Sequence, residues 1–561
     1  MCAKVADRKP ARRVRFCPMT EIDPLAGRGS TEAPAPRPGR SASQIVLDAS
    51  LILAVTAVAS RVLGWVRLVV IGSQFGASHQ LDAYFAAFLI PDAIFQLVVA
   101  GALFTALVPV FVSYRARDQD DEAWRVASSV VNILVLALAA VAVVVAIFAP
   151  ALVPVVAPGF DAPTTDLTVR LTRIMLLSPI FIGLGAVVTG ILNTYDRWAV
   201  PAMAPLVYNL SIIFAAIFVA PILGVEALAV GVAVGSLLHL AIQLPSLAAV
   251  GQRYDLTLGL RHPGVRRVAL LTAPRTLGLA AGQINLIVST VLASGLAEGS
   301  VAAYNYAFQL SMIPAGVVGV SIAVALFPTL SRDAALGRLS EIRRQVAGSL
   351  RVIVFIALPI TAIMIVLAEP ITGVFFQYGL FDARAASRTA GALLFFAIGL
   401  AANSAVHVLV RAFYAMHDTR TPVIWAILAV VFNVPLMVWL VGPMGIGGLA
   451  LALSITATAE AVGLVWALRN RIRSIEGASI LRSVLRAGVA ALASGLLMLG
   501  GLQVVNSGFG ALQGSALGRL VVLVVLSAAG LSIYLLVAAA LHSPELTQLR
   551  DMARRRLSRR G

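Results

Sequence analysis

The chain is poor in cysteine and in charged residues. Its only two cysteines among 561 residues are Cys2 and Cys17, so the sequence carries no disulfide framework and no thiolate cluster for a metal. Charged residues make up 12% of the chain and hydrophobic residues 59%, a balance that excludes a soluble globular protein. No G-x-x-x-x-G-K-[ST] motif occurs, and we therefore expect no direct use of ATP.

Long apolar runs fill most of the chain, and the mean hydropathy is +0.92. Runs of about twenty apolar residues are typical of membrane-spanning helices. The sequence therefore predicts an all-α polytopic membrane protein. We count fourteen candidate spans, at residues 46–74, 81–114, 124–153, 165–193, 200–222, 225–249, 268–296, 300–331, 345–369, 386–416, 421–441, 446–469, 480–505 and 516–541.

The net charge of +17 lies mainly on alternate connections between these spans. The other connections include turns without lysine or arginine, which we call the arginine-poor turns: 75–80, 154–164, 223–224, 297–299 and 442–445. Because basic residues stay on the cytoplasmic side, this pattern predicts that both termini are cytoplasmic. Basic residues on short connections set the membrane topology. Because the sequence shows no folded soluble domain that could enter a groove of DNA or RNA, we expect no nucleic-acid partner.

An internal repeat relates the first six spans to the next six. AYFAAF at 83–88 recurs as AYNYAF at 303–308, and ALVP at 106–109 recurs as ALFP at 325–328. The two members of each similar pair are separated by 219 to 224 residues. An even number of spans in each copy keeps the two copies parallel. The repeat predicts two parallel six-helix lobes around a central cleft, followed by a C-terminal helix pair.

The predicted organisation has five parts. Residues 1–45 are rich in Arg, Pro, Ser and Ala without an apolar signal-peptide core, so we expect a disordered tail there. The parts are a basic cytoplasmic tail at 1–45, an N-terminal lobe at 46–250, a C-terminal lobe at 251–475, spans 13 and 14 at 476–545, and a second basic cytoplasmic tail at 546–561.

The first two spans carry charges that a plain membrane anchor does not need. Arg61, Arg67, Asp82 and Asp92 lie in or beside apolar segments, and Pro91 breaks the second span. An arginine at bilayer depth costs roughly 2.5–3.5 kcal/mol on insertion scales, so such residues usually face a wet cavity or a partner. We interpret this helical hairpin as one wall of a transport pathway.

The motifs of this chain resemble a known family of transporters. SRVLGxxR at 60–67, FGAxxxxDAYFxAFxxP at 75–91, VAPGF at 156–160, ILNTYDRWAVPAMAP at 191–205, FQYGLF at 376–381 and FYAMHDTRTP at 413–422 resemble the lipid II flippase family of the MurJ or MviN type. This family lies within the multidrug, oligosaccharidyl-lipid and polysaccharide exporter superfamily. The resemblance implies fourteen helices and export of the undecaprenyl-pyrophosphate-linked peptidoglycan precursor, lipid II, across the bacterial inner membrane. Implied partners are lipid II or a related glycolipid, membrane lipids and the cell-wall synthesis machinery.

The resemblance assigns substrate binding to two arginines of the first span. Arg61 and Arg67 match the arginines of the family's SRxxGxxR motif, and six residues of helix place them about 120° apart. Arginine forms bidentate hydrogen bonds to phosphate oxygens and stays charged. The alternative is that one of them snorkels to a membrane interface. Asp82 either pairs with an arginine or gates the outer end of the cleft, unless it is an exposed helix cap, and Asp92 is a candidate proton-responsive partner.

The second lobe supplies further candidates. Arg275, Gln309 and Arg411 are expected to contact substrate, and His407 and Glu460 are candidates for ion or proton coupling, with His407 alternatively a packing or interfacial residue.

This chain also departs from the family pattern. Gln309 stands where many members have an arginine, and Phe95, Gln96 and Ala100 replace two arginines and a glutamate, so the expected cleft is less cationic.

These features favour a transporter over an enzyme. We expect no catalytic residues, no metal and no cofactor, with H⁺ or Na⁺ as the open choices of coupling ion. An exporter of another polyprenyl-linked polysaccharide precursor and a drug or cation antiporter are the alternative functions. A glycosyltransferase would need acidic catalytic residues on a sizeable external loop, and a scaffold would tolerate loss of the buried charges.

Overall fold

The computed structural model contains helices and no strand in the part of the chain that it describes. It describes residues 42–97, 103–472, 474, 476–508, 510, 514–548 and 550–551, without the side chains of 42–51, 54, 103–105, 271 and 273–281. Contacts divide the chain into residues 1–50 and a compact body from Leu51 onward. Of the two predicted tails, residues 1–41 and 552–561 lie outside the described residues.

The helices of the first half follow one another through short turns. They are α1 (Ala42–Phe75), α2 (His79–Phe95), α3 (Leu103–Arg115), α4 (Asp120–Val156), α5 (Ala162–Met175), α6 (Ser178–Thr194), α7 (Ala199–Phe214), α8 (Ala220–Leu223), α9 (Glu226–Ala241) and α10 (Leu244–Ala248). Pro91 inside α2 and Pro109 inside α3 each remove a backbone donor from the helix.

The second half repeats this arrangement and adds a final pair. Its helices are α11 (Pro263–Ser294), α12 (Ser300–Ala315), α13 (Ser321–Ala335), α14 (Leu339–Val366), α15 (Ala368–Phe376), α16 (Ala383–Ile398), α17 (Leu400–Ala415), α18 (Arg420–Met444), α19 (Ile446–Ile472), α20 (Gly477–Gly508) and α21 (Ala516–Ala540). The final pair, α20 and α21, packs against α14, where the Tyr534 hydroxyl donates to the carbonyl oxygen of Phe355 at 2.7 Å.

Each predicted span is helical in the described part, and several spans consist of two consecutive helices, such as α5 with α6 and α12 with α13. Eleven helical stretches in the described part are long and apolar enough to cross a membrane, and α16 with α17, bent by 47°, makes a twelfth. The second predicted span corresponds to α2 and α3, which flank the undescribed residues 98–102, and the seventh corresponds to α11. The structure is consistent with fourteen spans, and it confirms the all-α polytopic class.

The backbone carries the internal repeat as well. Asp196, just before α7, and His417, just before α18, both adopt a positive φ, at 56° and 58°. Gly224 and Gly445 end α8 and α18 with φ of 62° and 55°. The members of each pair are 221 residues apart, inside the offsets that the sequence predicts.

Helix α11 contacts both halves of the molecule. Val265 and Val268 at its start belong to an apolar cluster of the first half, whereas Ala293 near its end belongs to a cluster that both halves share. The connection before α11 is fastened to α4, because the Asn132 amide donates to the carbonyl oxygens of Asp255 and Thr257 at 3.0 and 2.9 Å. The two halves are therefore joined by an ordered connection.

Candidate functional site

The two halves meet at the arginine-poor turns 75–80 and 297–299. We call this contact the seam; it comprises residues 73–82 and 159 of the first half and residues 294–304 and 377–381 of the second. Within it the Leu380 amide donates to the carbonyl oxygen of Ser73 at 2.8 Å. The Gly159 amide donates to the Ser294 hydroxyl at 3.2 Å. The seam thus holds the halves together through hydrogen bonds whose donors are backbone amides.

Asp82 is the principal side chain of the seam. It lies in the first turn of α2, is only 4% exposed, and accepts hydrogen bonds from the backbone amides of Gly299 and Ala302, both at 2.7 Å. These amides belong to the start of α12, where free N–H groups and the helix dipole favour a carboxylate. The exposed-cap alternative for Asp82 is wrong, because Ser78 caps α2 and Asp82 caps a helix of the opposite half.

The turn at Gly299 brings two backbones closer than a side chain would permit. Gly299 has a φ of 82°, and a Cβ atom there would lie 2.2 Å from the carbonyl oxygen of Ala77. Beside it, Glu298 accepts hydrogen bonds from the backbone N–H of His79 at 2.9 Å and from its ring. These hydrogen bonds lower the pKa of Glu298 below its ordinary value of 4.5, so its carboxylate stays ionised at neutral pH.

Arg67 lies in α1 among tyrosine hydroxyls. Its guanidinium is half-buried and close enough to Tyr84, Tyr208 and Tyr306 to interact with them electrostatically. Its Nε is buried without a hydrogen-bond partner, and no described residue forms an ion pair with it. Arg61, one and two-thirds turns earlier on the same helix, is exposed. Of the two arginines that the motif predicts, Arg67 is therefore half-buried and Arg61 is exposed to solvent or lipid.

Asp92 lies on the α2 side of the same region. Hydrogen bonds from the side chains of Gln96 and Gln283 hold its carboxyl group, and Gln283 comes from α11. Tyr208 is within electrostatic reach of both Asp92 and Arg67. The structure thus brings Arg67 and Asp92 near the same tyrosine, in a polar corner to which α1, α2, α7 and α11 each contribute a residue.

The candidates of the second half do not join this corner. The Arg411 guanidinium lies over the Phe327 ring, 5.6 Å from its centroid, with His407 one turn away on α17. Gln309 is half-buried in α12. The side chain of Arg275 lies outside the described residues.

Glu460 borders a cavity of about 170 Å³ inside the second half, together with Asn285, Asn403 and Thr456. The Asn433 amide bridges this wall, donating to the Asn285 carbonyl oxygen at 2.9 Å and accepting from the Thr456 hydroxyl at 3.1 Å. In the described part of the chain, no three His, Cys, Asp or Glu side chains are grouped to hold a metal ion.

The sequence analysis did not identify most of the residues that surround Arg67 and Asp92. Tyr84 and Tyr306 had a signal, since both lie in the repeated AYFAAF and AYNYAF segments, whereas Tyr208 and Gln283 had none. Glu298 was missed because a single acid in a short turn is usually solvent-exposed surface.

These features define a two-lobed, multi-span membrane transporter with a closed seam at one end and a polar corner within. The same fold occurs in an "inward-facing conformation of a multidrug resistance MATE family transporter of the MOP superfamily", with a TM-score of 0.62 at 15% identity over 74% of this chain and 95% of that one. It also occurs in a structure described as "Lipid II flippase MurJ, inward closed conformation", with a TM-score of 0.73 at 24% identity over 87% of this chain and 98% of that one.

The sequence comparisons are more specific. A profile of the family described as "Lipid II flippase MurJ" matches residues 71–512. The lipid II flippase MurJ of Burkholderia cenocepacia is 35% identical over 421 residues, covering 73% of this chain and 81% of its own. The probable lipid II flippase MurJ of Rhizobium tropici is 31% identical over 426 residues, covering 73% and 79%. The chain belongs to the lipid II flippase MurJ family.

Proposed function

We propose that this chain is a flippase and not an enzyme, and that it moves lipid II from the inner to the outer leaflet of the bacterial cytoplasmic membrane. The observation that carries the proposal is Arg67, enclosed in the polar corner of a chain whose family is named for this activity. A pyrophosphate head group that leaves water loses its hydration and needs fixed cationic donors in return. The guanidinium of Arg67 supplies such a cationic donor, and the hydroxyls of Tyr84 and Tyr208 nearby can add neutral hydrogen bonds.

The seam supports transport by alternating access. If basic connections mark the cytoplasmic side, both termini are cytoplasmic and the seam lies at the outer face. With the seam closed, the polar corner accepts cargo from the cytoplasmic side, and breaking the seam releases cargo outward. Asp82 is then the gate residue, while Arg61 guides the head group toward Arg67. Arg275, Gln309 and Arg411 remain candidate contacts from the second half, and Asp92 remains a candidate proton-responsive partner.

The energy for this cycle comes from outside the chain. We propose no cofactor; an ion gradient or the membrane potential drives the step, and each charge that crosses 100 mV contributes about 2.3 kcal/mol. His407 and Glu460 are the candidates for ion or proton coupling. Lipid II, membrane lipids and the cell-wall synthesis machinery are the proposed partners.

The test is rescue of a bacterium depleted of its own lipid II flippase, with membrane insertion of each variant verified. Wild type should restore growth and lipid II exposure at the outer surface, and Arg67→Ala should not. Arg67→Lys keeps the charge but not the planar fork, so we expect partial rescue. The matched control is Arg125→Ala, which removes an exposed arginine paired with Glu122 and should rescue fully.

Two results contradict the proposal. Failure of well-inserted wild type would favour an exporter of another polyprenyl-linked precursor. Full rescue by Arg67→Ala would leave the function standing but remove Arg67 from the binding site.

A further inference from the structure

Glu460 lies at a depth where an isolated carboxylate is unusual. It is near the middle of α19, about 21 Å along the helix axis from Ile446 at 1.5 Å per residue. No residue in the described part of the chain gives its carboxylate a hydrogen bond or an ion pair. An ionisable residue at this depth marks a functional site by default.

A large groove opens beside this carboxylate. It has a volume of about 630 Å³ between α18 and α19, and among the described residues that line it Glu460 alone is ionisable. Its walls include Trp425, Phe432 and Trp439, and Trp439 is 73% exposed. These walls are apolar and lie between two membrane-spanning helices, an environment that suits acyl chains. Its volume is that of a site for a small organic ligand.

One tryptophan of the groove is held in place by a glycine. Trp425 packs directly against Gly463, where a Cβ atom would lie 2.2 Å from the indole ring. Gly463 follows Glu460 by three residues, about one helical turn. The glycine therefore lets the indole lie flat on α19 on the same side as the carboxylate.

The carboxylate also borders the polar cavity of about 170 Å³ inside the second half. Glu460 and Ala429 line both spaces, so Glu460 lies at the boundary between an apolar groove and a polar interior. A ligand that satisfies both sides needs an apolar body for the groove and a positive charge for the carboxylate.

We propose that this groove binds lipophilic organic cations that enter from the membrane. Aromatic faces attract a weakly hydrated cation, and the attraction grows when water is excluded. Glu460 supplies the opposite charge. A small inorganic ion could bind Glu460 from the polar cavity but would leave the apolar groove empty, and a neutral acyl chain would gain nothing from the carboxylate. The site lies in the second half, apart from the polar corner at Arg67. Cation binding there would be a property separate from the proposed transport of lipid II.

Binding of radiolabelled tetraphenylphosphonium to the full chain in nanodiscs tests this proposal. Wild type should bind it saturably, and Glu460→Gln, which keeps the size of the side chain, should lower the affinity by roughly tenfold or more. Trp425→Ala should weaken binding as an independent variant. Two controls should bind as wild type does: Trp466→Ala, which removes a tryptophan of α19 that is 62% exposed and outside the groove, and Glu369→Gln, which removes a carboxylate elsewhere.

A neutral probe of similar shape, triphenylphosphine oxide, separates the charge from the apolar contact. It should bind wild type much more weakly than the cation does, and Glu460→Gln should not change its binding. Equal affinity of the two probes would mean that the groove holds an apolar occupant, and unchanged cation affinity in Glu460→Gln would mean that the carboxylate plays no part. Either result overturns the proposal.

Discussion

Replacing Asp82 by asparagine tests whether the seam opens as one unit. The carboxylate accepts two backbone N–H groups of α12, each at 2.7 Å. Asparagine has nearly the same shape, but only its carbonyl oxygen accepts, and its NH₂ group faces a second donor. The variant therefore loses at least one charge-assisted hydrogen bond, together with the negative charge at the start of α12.

The size of the effect follows from that loss. A hydrogen bond to a charged group contributes about 1.5–3 kcal/mol. If the closed seam loses this amount relative to the open state, the open population rises roughly 10- to 150-fold. The fold itself should survive, because the seam is a small part of the apolar contact that the two halves share.

Amide hydrogen exchange measures this change at a distance from the substitution. The Leu380 amide donates to the carbonyl oxygen of Ser73 across the seam and has no hydrogen bond with Asp82, so its exchange rate rises when the halves separate. We expect Asp82→Asn to speed its exchange roughly 10- to 150-fold. Exchange that rises at Ala302 alone would show a local loss of capping, and the reasoning about a cooperative seam would be refuted.

A second capping aspartate provides the matched control. Asp418 accepts from the backbone amides of Arg420 and Thr421 at 3.1 and 3.0 Å, at the start of α18 within the second half. Asp418→Asn removes a similar charge from a helix start without touching the Asp82 hydrogen bonds. Leu380 should then exchange as it does in wild type, and an equal acceleration in both variants would argue against a specific role of Asp82.

Three further outcomes follow from the seam and the final helix pair. Gly299→Ala should lower the thermal unfolding temperature and speed seam exchange, because a Cβ would overlap a backbone carbonyl at a positive φ, a strain of roughly 1–3 kcal/mol; unchanged melting would contradict it. Tyr534→Phe should cost about 0.5–1.5 kcal/mol in unfolding, since the hydroxyl bonded to Phe355 is buried. Because His79 lowers the pKa of Glu298, the stability from their contact is complete above pH 4.5 and is lost as the pH falls through the lowered pKa, so Glu298→Gln should remove that acid dependence from melting curves.

The sequence predicted the class of fold because hydropathy reports directly on burial in a bilayer. Each predicted span has a helical counterpart, and the offset of the internal repeat reappears in the paired positive-φ residues Asp196 and His417. Arg67 could be proposed as a site residue for a related reason, since a charge inside an apolar run is visible without any structure.

The hydrogen-bond partners of Asp82 and Asp92 were not predictable from a single sequence. Asp82 bonds to amides 217 and 220 residues further along the chain. Gln283 reaches Asp92 from α11. Such contacts depend on how two lobes meet, which local periodicity does not encode. The groove at Glu460 was hidden for a related reason, because residues of two neighbouring helices form it and each alone resembles a lipid-facing surface.

Backbone amides are the donors of most seam hydrogen bonds, and this has a consequence for divergence. The amide of Leu380 donates to the carbonyl oxygen of Ser73, and the amide of Gly299 donates to the Asp82 carboxylate. Every residue other than proline supplies such an amide, so most substitutions at Ser73 or Leu380 leave the bond between them chemically unchanged. Side chains along such a seam can therefore change during evolution while the two halves keep the same position relative to each other.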